Sequence, residues 1–230
     1  MDELKDKPSW GADNNALIAI VAVNLVIAVS LGLMKVTYYL EGFPMVDFEN
    51  EIYKYVIFVP SQLKTTWWTL FTFYWTHDSY WQLFTNLFWL FIFGSILQNK
   101  GANKHLFPIY FYSGLIAGLS YILHKGAIPF LGANTCVLAF GLAVLAYAPG
   151  YKLVPNLGKG IPAWLMVVIY LLFTGFTFMD KPFLINFSII LGGIMGLLYI
   201  LLLKKEIDLG SWMHRLLQSV NNSYKPKNNA

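Results

Sequence analysis

The chain has 230 residues, of which 57% are apolar, 17% aromatic and only 12% charged. Soluble globular domains carry about 25% charged residues, so this composition excludes an ordinary soluble enzyme and a disordered chain. The single cysteine, Cys136, excludes a domain held together by disulfides. The net charge is +4, and the basic residues form short clusters that are typical of a protein at a membrane surface rather than of a nucleic-acid-binding protein. We therefore expect a polytopic membrane protein.

Six apolar segments follow one another along the chain, each about long enough for a helix that crosses roughly 30 Å of hydrocarbon. They cover residues 16–34, 81–97, 106–123, 131–148, 161–178 and 183–203, and none contains Asp, Glu, Lys or Arg. The sequence thus predicts an all-α bundle of six transmembrane helices between an N-terminal segment, residues 1–15, and a basic tail, residues 204–230. Uncharged spans also argue against an ion-coupled transporter, because charges at bilayer depth usually mark ion pathways.

The basic residues predict the orientation of this bundle. With both termini on one side, eleven of the 16 Lys and Arg residues lie on that side and five on the other. Basic residues favour the cytoplasmic side of a membrane. We expect both termini to be cytoplasmic, in a multi-pass protein of a bacterial plasma membrane.

The first outer loop, residues 35–80, is long and becomes aromatic toward the second span. Tryptophan and tyrosine gather where lipid headgroups meet acyl chains. This predicts a loop that lies partly in the membrane surface. The aromatic residues concerned are Trp67, Trp68, Phe71, Phe73, Tyr74, Trp75, Tyr80 and Trp81.

Three polar residues, His77, Gln82 and Asn86, precede an aromatic run that closes on Gly94. The pattern resembles the rhomboid family of intramembrane serine proteases, whose second helix carries His-x4-His-x3-Asn, an aromatic run and a glycine. His77 and Asn86 match that motif, and Gln82 replaces its second histidine. The resemblance covers roughly residues 60–203 and implies a six-helix fold with a polar, oxyanion-binding pocket at His77, Gln82 and Asn86.

The catalytic pair that the resemblance implies is missing. Family members carry a nucleophilic serine in Gly-x-Ser at the start of the fourth helix and a general-base histidine before a Gly-x-x-x-Gly pair in the sixth. Here Asn134 follows Gly132 at the serine position, and Ile189 precedes Gly192 and Gly196 at the histidine position. An amide cannot replace an alkoxide nucleophile, so we expect no serine protease activity through these positions.

Other assignments stay open. Thr135, Cys136 or Ser188 is an alternative nucleophile for an active intramembrane protease, with His77 or His124 as its base. A third reading, a small-solute channel, is disfavoured by the uncharged spans.

The leading hypothesis is a catalytically inactive rhomboid-like protein that binds transmembrane segments of client membrane proteins, docked near the second and fifth helices. Its expected partners are the lipid bilayer and those client helices, with no nucleic acid, metal ion or cofactor. Four glycines are expected to serve helix packing. They are Gly94, Gly132, Gly192 and Gly196.

Overall fold

The computed structural model describes residues 16–123, 128–154, 160–179 and 181–223, so the predicted N-terminal segment lies outside it. The helices in these ranges are α1 (Ala16–Leu40), α2 (Met45–Glu51), α3 (Thr69–Thr72), α4 (Tyr80–Asn99), α5 (Leu106–Ile122), α6 (Asn134–Tyr147), α7 (Ala163–Phe178), α8 (Phe183–Leu203) and α9 (Ser211–Ser223). Short 3-10 turns cover Tyr53–Tyr55, Pro60–Gln62, Phe73–Trp75 and Asn103–His105. Two short strands, β1 (Lys152–Leu153) and β2 (Ile161–Pro162), pair antiparallel before α7.

Each of the six predicted spans is a helix in the structure, namely α1 and α4 to α8. Among the described residues, α1, α4 and α8 are long and apolar enough to cross a membrane by length and composition. Helices α5, α6 and α7 are shorter, with 17, 14 and 16 residues. The helical fold is thus confirmed, while the count of six membrane crossings stays a prediction.

Two helix boundaries differ by three residues or more from those predicted. Helix α1 runs past Lys35 to Leu40, because lysine is a good helix former and a single charge does not end a helix. It ends where Gly42 takes a φ of 74° and the Phe43 N–H donates to Tyr38 O at 3.0 Å, a Schellman-type termination. At the other boundary, α6 begins at Asn134, three residues later than predicted.

The centre of the bundle is built by α8, which packs along α5 and α6. A side chain at Gly196 would overlap the backbone of Ala139 in α6, and one at Gly192 would overlap Thr135. These glycines therefore let the helix axes approach closely, as small residues do between membrane helices. On the opposite side of the bundle, Gly94 of α4 leaves space for Leu17 of α1.

The loop between α1 and α4 is folded against the bundle. Phe58 forms an antiparallel bridge with Phe130, just before α6, through backbone bonds of 3.1 and 2.7 Å. Phe73 and Tyr74 are buried in the core, whereas Trp67 and Trp81 are exposed. The predicted aromatic segment therefore has two roles in the fold, because only part of it faces outward. Its association with the membrane surface stays a prediction.

Candidate functional site

Helices α6 and α8 cross at the positions where the sequence places the altered catalytic pair. The hydroxyl of Thr135, in the first turn of α6, donates to the carbonyl oxygen of Ile189 in α8 at 3.3 Å. Position 134, next to Thr135, thus lies at the same crossing of helices as position 189. Positions 134 and 189, distant in sequence, therefore lie at one helix crossing, while their correspondence to a catalytic pair stays a prediction.

Asn134 is the first residue of α6 and is almost fully buried. Its carbonyl oxygen accepts a hydrogen bond of 3.0 Å from the Tyr170 hydroxyl of α7. The Tyr170 ring also contacts Trp89 and Phe93 of α4, with centroids 5.6 and 6.0 Å apart. Tyr170 therefore connects α4, α6 and α7 beside the site. The sequence analysis missed it, because a single tyrosine in an apolar span carries no distinctive spacing.

Asn86 of α4 is 2% exposed, and its Nδ2 donor has no hydrogen-bond partner among the described residues. A buried donor without a partner costs about 1–3 kcal/mol. The Asn86 amide is therefore a buried donor that an added hydrogen-bond acceptor would stabilise.

Gln82, one turn before Asn86, lies against the segment that leads into α6. Its Oε1 accepts from the Asp78 N–H at 2.7 Å, and a methyl group at Gly132 would lie 2.8 Å from its Nε2. Gly132 has a φ of 103°, and its N–H donates to Phe73 O at 3.1 Å. Only glycine adopts this backbone conformation readily while leaving room for the Gln82 amide.

His77 lies apart from this group. It lines a cavity of about 320 Å³ between α1, α2 and the start of α4, and that lining includes neither Asn86 nor Asn134. Burial lowers the pKa of His77 to about 4. Neither ring nitrogen has a hydrogen-bond partner within the described chain, but the His77 carbonyl accepts from the Tyr53 hydroxyl at 3.2 Å. The residue thus anchors the outer loop through its backbone.

The alternative nucleophiles are all buried between helices. Thr135 and Cys136 have no solvent-exposed surface, and Ser188 has almost none. The Cys136 thiol donates to Tyr110 O at 3.4 Å. His124, the alternative base, lies outside the described residues. The side chains of Thr135 and Cys136 are thus each engaged with a backbone carbonyl of a neighbouring helix.

The family model described as Rhomboid domain matches residues 64–206, more than half of the chain. The chain belongs to the rhomboid family. The family resemblance inferred from the residues near 77–94 and 132–196 is thereby confirmed. No curated protein sequence matches the chain significantly.

The rhomboid match extends from the outer loop to just beyond α8, and α1 precedes it. It therefore includes all the helices that carry Gln82, Asn86, Asn134 and Ile189. In this rhomboid protein the site supplies amide groups from α4 and α6, but α4, α6 and α8 contain no histidine. Amide groups such as these can hold a carbonyl group by hydrogen bonds.

Proposed function

We propose that this rhomboid-family protein is a pseudoprotease that binds the transmembrane segments of other membrane proteins. The observation that carries the proposal is the pair Asn134 and Ile189, which stand on adjoining turns of α6 and α8 in place of a nucleophile and its base. The frame around them is retained, including the glycine approach of α8 to α6. Binding of a transmembrane segment requires this arrangement of helices, whereas cleavage of a peptide bond also requires a nucleophile and a general base.

The bundle in this proposal crosses the membrane six times, with both termini in the cytoplasm of a bacterial cell. The absence of charged residues within the spans and the excess of basic residues on one side support this topology.

A client helix would dock at the junction of α4 and α7. There Tyr170 packs edge-on against Trp89, and its hydroxyl holds the Asn134 carbonyl. Separation of α4 from α7 at these rings would break the bond between Tyr170 and Asn134, and a polar group of the client helix would have to replace it. Behind the rings lies the Asn86 Nδ2 donor, which a carbonyl oxygen from an unwound turn of the client helix would satisfy.

Site-specific crosslinking in native membranes tests the proposal. Asn86 is too buried to carry a photoreactive group without damage, so the probe belongs at Ile92, a half-buried residue one turn beyond Trp89 on α4. The control probe belongs at Leu33 of α1, which is 65% exposed. We expect intact membrane polypeptides to be captured from Ile92, and lipid alone from Leu33. Capture of only lipid and further copies of the chain at both positions would contradict the proposal.

A cleavage assay separates a pseudoprotease from an active protease. The purified protein in liposomes is expected to leave model transmembrane substrates intact and to react with neither serine-directed nor cysteine-directed probes. Cleavage that is abolished by Thr135→Val, Cys136→Ala or Ser188→Ala would establish the active protease instead.

A further inference from the structure

Two histidines and an aspartate cluster at the end of the bundle remote from Asn134. His105 precedes α5, Asp208 lies between α8 and α9, and His214 is in the first turn of α9. Their ligand atoms all lie within 4.8 Å of one another. Tyr199, which contacts both His105 and Asp208, is ten residues, roughly 15 Å, along α8 from Ile189. The cluster is thus separate from the site already described.

The hydrogen bonds within the cluster leave two groups facing each other. Asp208 Oδ1 accepts from the Tyr199 hydroxyl at 3.1 Å and from the Gly210 N–H at 2.8 Å. Asp208 Oδ2 lies 3.8 Å from His214 Nε2, which is too far for a hydrogen bond. That Nε2 is buried and has no partner among the described residues. An open carboxylate oxygen and an open imidazole nitrogen therefore point into the same space.

The third member completes a set of donors around that space. His105 is buried, and its Nδ1 lies 3.9 Å from Asp208 Oδ1. Donor atoms on one tetrahedral zinc ion lie about 3.3 Å apart. The widest separation allowed by the cluster, 4.8 Å, exceeds this value by about 1.5 Å, which side-chain rotation can supply.

We propose that His105, Asp208 and His214 form a binding site for Zn²⁺, with water at the fourth position. Two imidazoles and one carboxylate suit a transition metal such as zinc, whereas magnesium and calcium prefer oxygen donors alone. The ion joins His105, before α5, to Asp208 and His214 at the start of α9, and so fastens α9 to the bundle. The wide sequence separation of His105 from the other two ligands is the reason that the sequence predicted no metal.

The neighbouring residues determine the protonation state of the ligands and the affinity of the site for the ion. Burial lowers the pKa of His105 to about 4 and also lowers that of His214, so both rings are neutral near pH 7. Neutral imidazole is the form that binds metals. The one proton of the Tyr199 hydroxyl goes to Asp208, so His105 Nδ1, 3.0 Å from that hydroxyl oxygen, donates to it in this structure. Metal binding through Nδ1 requires the other neutral tautomer of His105, with its proton on Nε2. The hydroxyl of Tyr199 keeps its bond to Asp208 and orients the carboxylate. Lys104 is close enough to oppose a bound cation electrostatically.

Metal content and spectroscopy of the full chain test the site. The protein is purified through a tag that contains no histidine, stripped with a chelator and titrated with Zn²⁺ while bound metal is measured. We expect one ion per chain, and Co²⁺ in its place should give the visible absorption bands of a tetrahedral or five-coordinate centre. Failure to retain zinc together with absence of these bands would overturn the proposal and leave a hydrogen-bonded cluster.

Variants identify the ligands. Asp208→Asn and His214→Gln are each expected to weaken zinc binding at least 100-fold, and Tyr199→Phe roughly 10-fold through the orientation of Asp208. Lys104→Gln should strengthen binding, because it removes a like charge from the neighbourhood of the ion. His77→Gln, at a histidine outside the cluster, is the matched control and should bind as the natural chain does. Equal affinity in Asp208→Asn and the natural chain contradicts the assignment even if Co²⁺ binds elsewhere.

Discussion

Thr135 and Ile189 are 54 residues apart in the chain, yet the hydroxyl of the first donates to the carbonyl oxygen of the second at 3.3 Å. The bond joins the first turn of α6 to α8 at a crossing where the two helices are in direct contact, because Gly192 has no side chain to hold them apart. The adjoining position 134 carries an amide and position 189 an alkyl group, so the contact that holds these two turns together is made by Thr135 and the Ile189 backbone.

Restoring the catalytic pair tests whether the geometry survives. The double variant Asn134→Ser with Ile189→His is expected to cleave a model transmembrane substrate slowly, while each single variant stays inactive, since a nucleophile and its base act as a unit. Loss of one oxyanion donor typically costs 10²–10³ in rate, so adding Gln82→His should raise cleavage by up to about 100-fold. Cleavage rates come from gel assays in liposomes. A folded but inactive triple variant would show that the frame itself has changed.

The bond between Thr135 and Ile189 has a measurable effect on stability. Thr135→Val keeps the shape of the side chain and removes its donor, so we expect a loss of about 0.6–2 kcal/mol in the free energy of unfolding. The matched control is Thr85→Val, because the Thr85 hydroxyl bonds only to carbonyls of its own helix, at Trp81 and Gln82. Unfolding in mixed detergent micelles measures both. Equal losses in the two variants would show that the contact between helices adds nothing.

Features of this structure that depend on residues close together in the chain can be predicted from the sequence, whereas contacts between residues far apart in the chain cannot. The six long helices follow from local runs of apolar residues, whereas the start of α6 at Asn134, after Gly132 with its positive φ, was not predicted. Family motifs locate Asn86, Asn134 and Ile189, because fixed spacings along single helices carry them. The partnership of Tyr170 with Asn134 spans 36 residues and leaves no local pattern. The proximity of His105 to Asp208 also leaves no local pattern in the sequence. The lack of a partner for the Asn86 Nδ2 donor depends on the neighbouring helices, which place no hydrogen-bond acceptor beside it among the described residues.

The close approach of α8 to α6 predicts a strong effect at Gly196. In Gly196→Ala the new methyl group meets the backbone of Ala139, which cannot rotate away, so we expect a loss of about 1–3 kcal/mol in stability. Gly175→Ala is the control, because no atom in the described part of the chain lies within 4 Å of its added methyl group. That substitution removes a flexible residue from helix α7 and should stabilise it by a few tenths to about 1 kcal/mol. Thermal unfolding in detergent distinguishes the two outcomes, and a neutral Gly196→Ala would refute the tight crossing.

Burial of His77 predicts that stability falls as the pH is lowered. Its pKa is about 4 in the folded chain against 6.5 for a free histidine, because burial disfavours the charged ring. Above pH 6.5 the residue is neutral in both states and the stability is fully present. Between pH 6.5 and pH 4 the unfolded chain gains a proton that the folded chain excludes, so stability falls by at most roughly 3 kcal/mol.

The variant His77→Leu isolates this effect from the other histidines. It keeps the ring site apolar and removes the titration, so the loss of stability between pH 6.5 and pH 4 should be smaller than in the natural chain by the amount that His77 contributes. The carbonyl of residue 77 still accepts from Tyr53, so the anchor of the outer loop is retained. Denaturant unfolding at a series of pH values measures the difference between the two curves. Parallel curves would mean that the His77 ring takes up a proton in the folded protein as readily as in the unfolded chain.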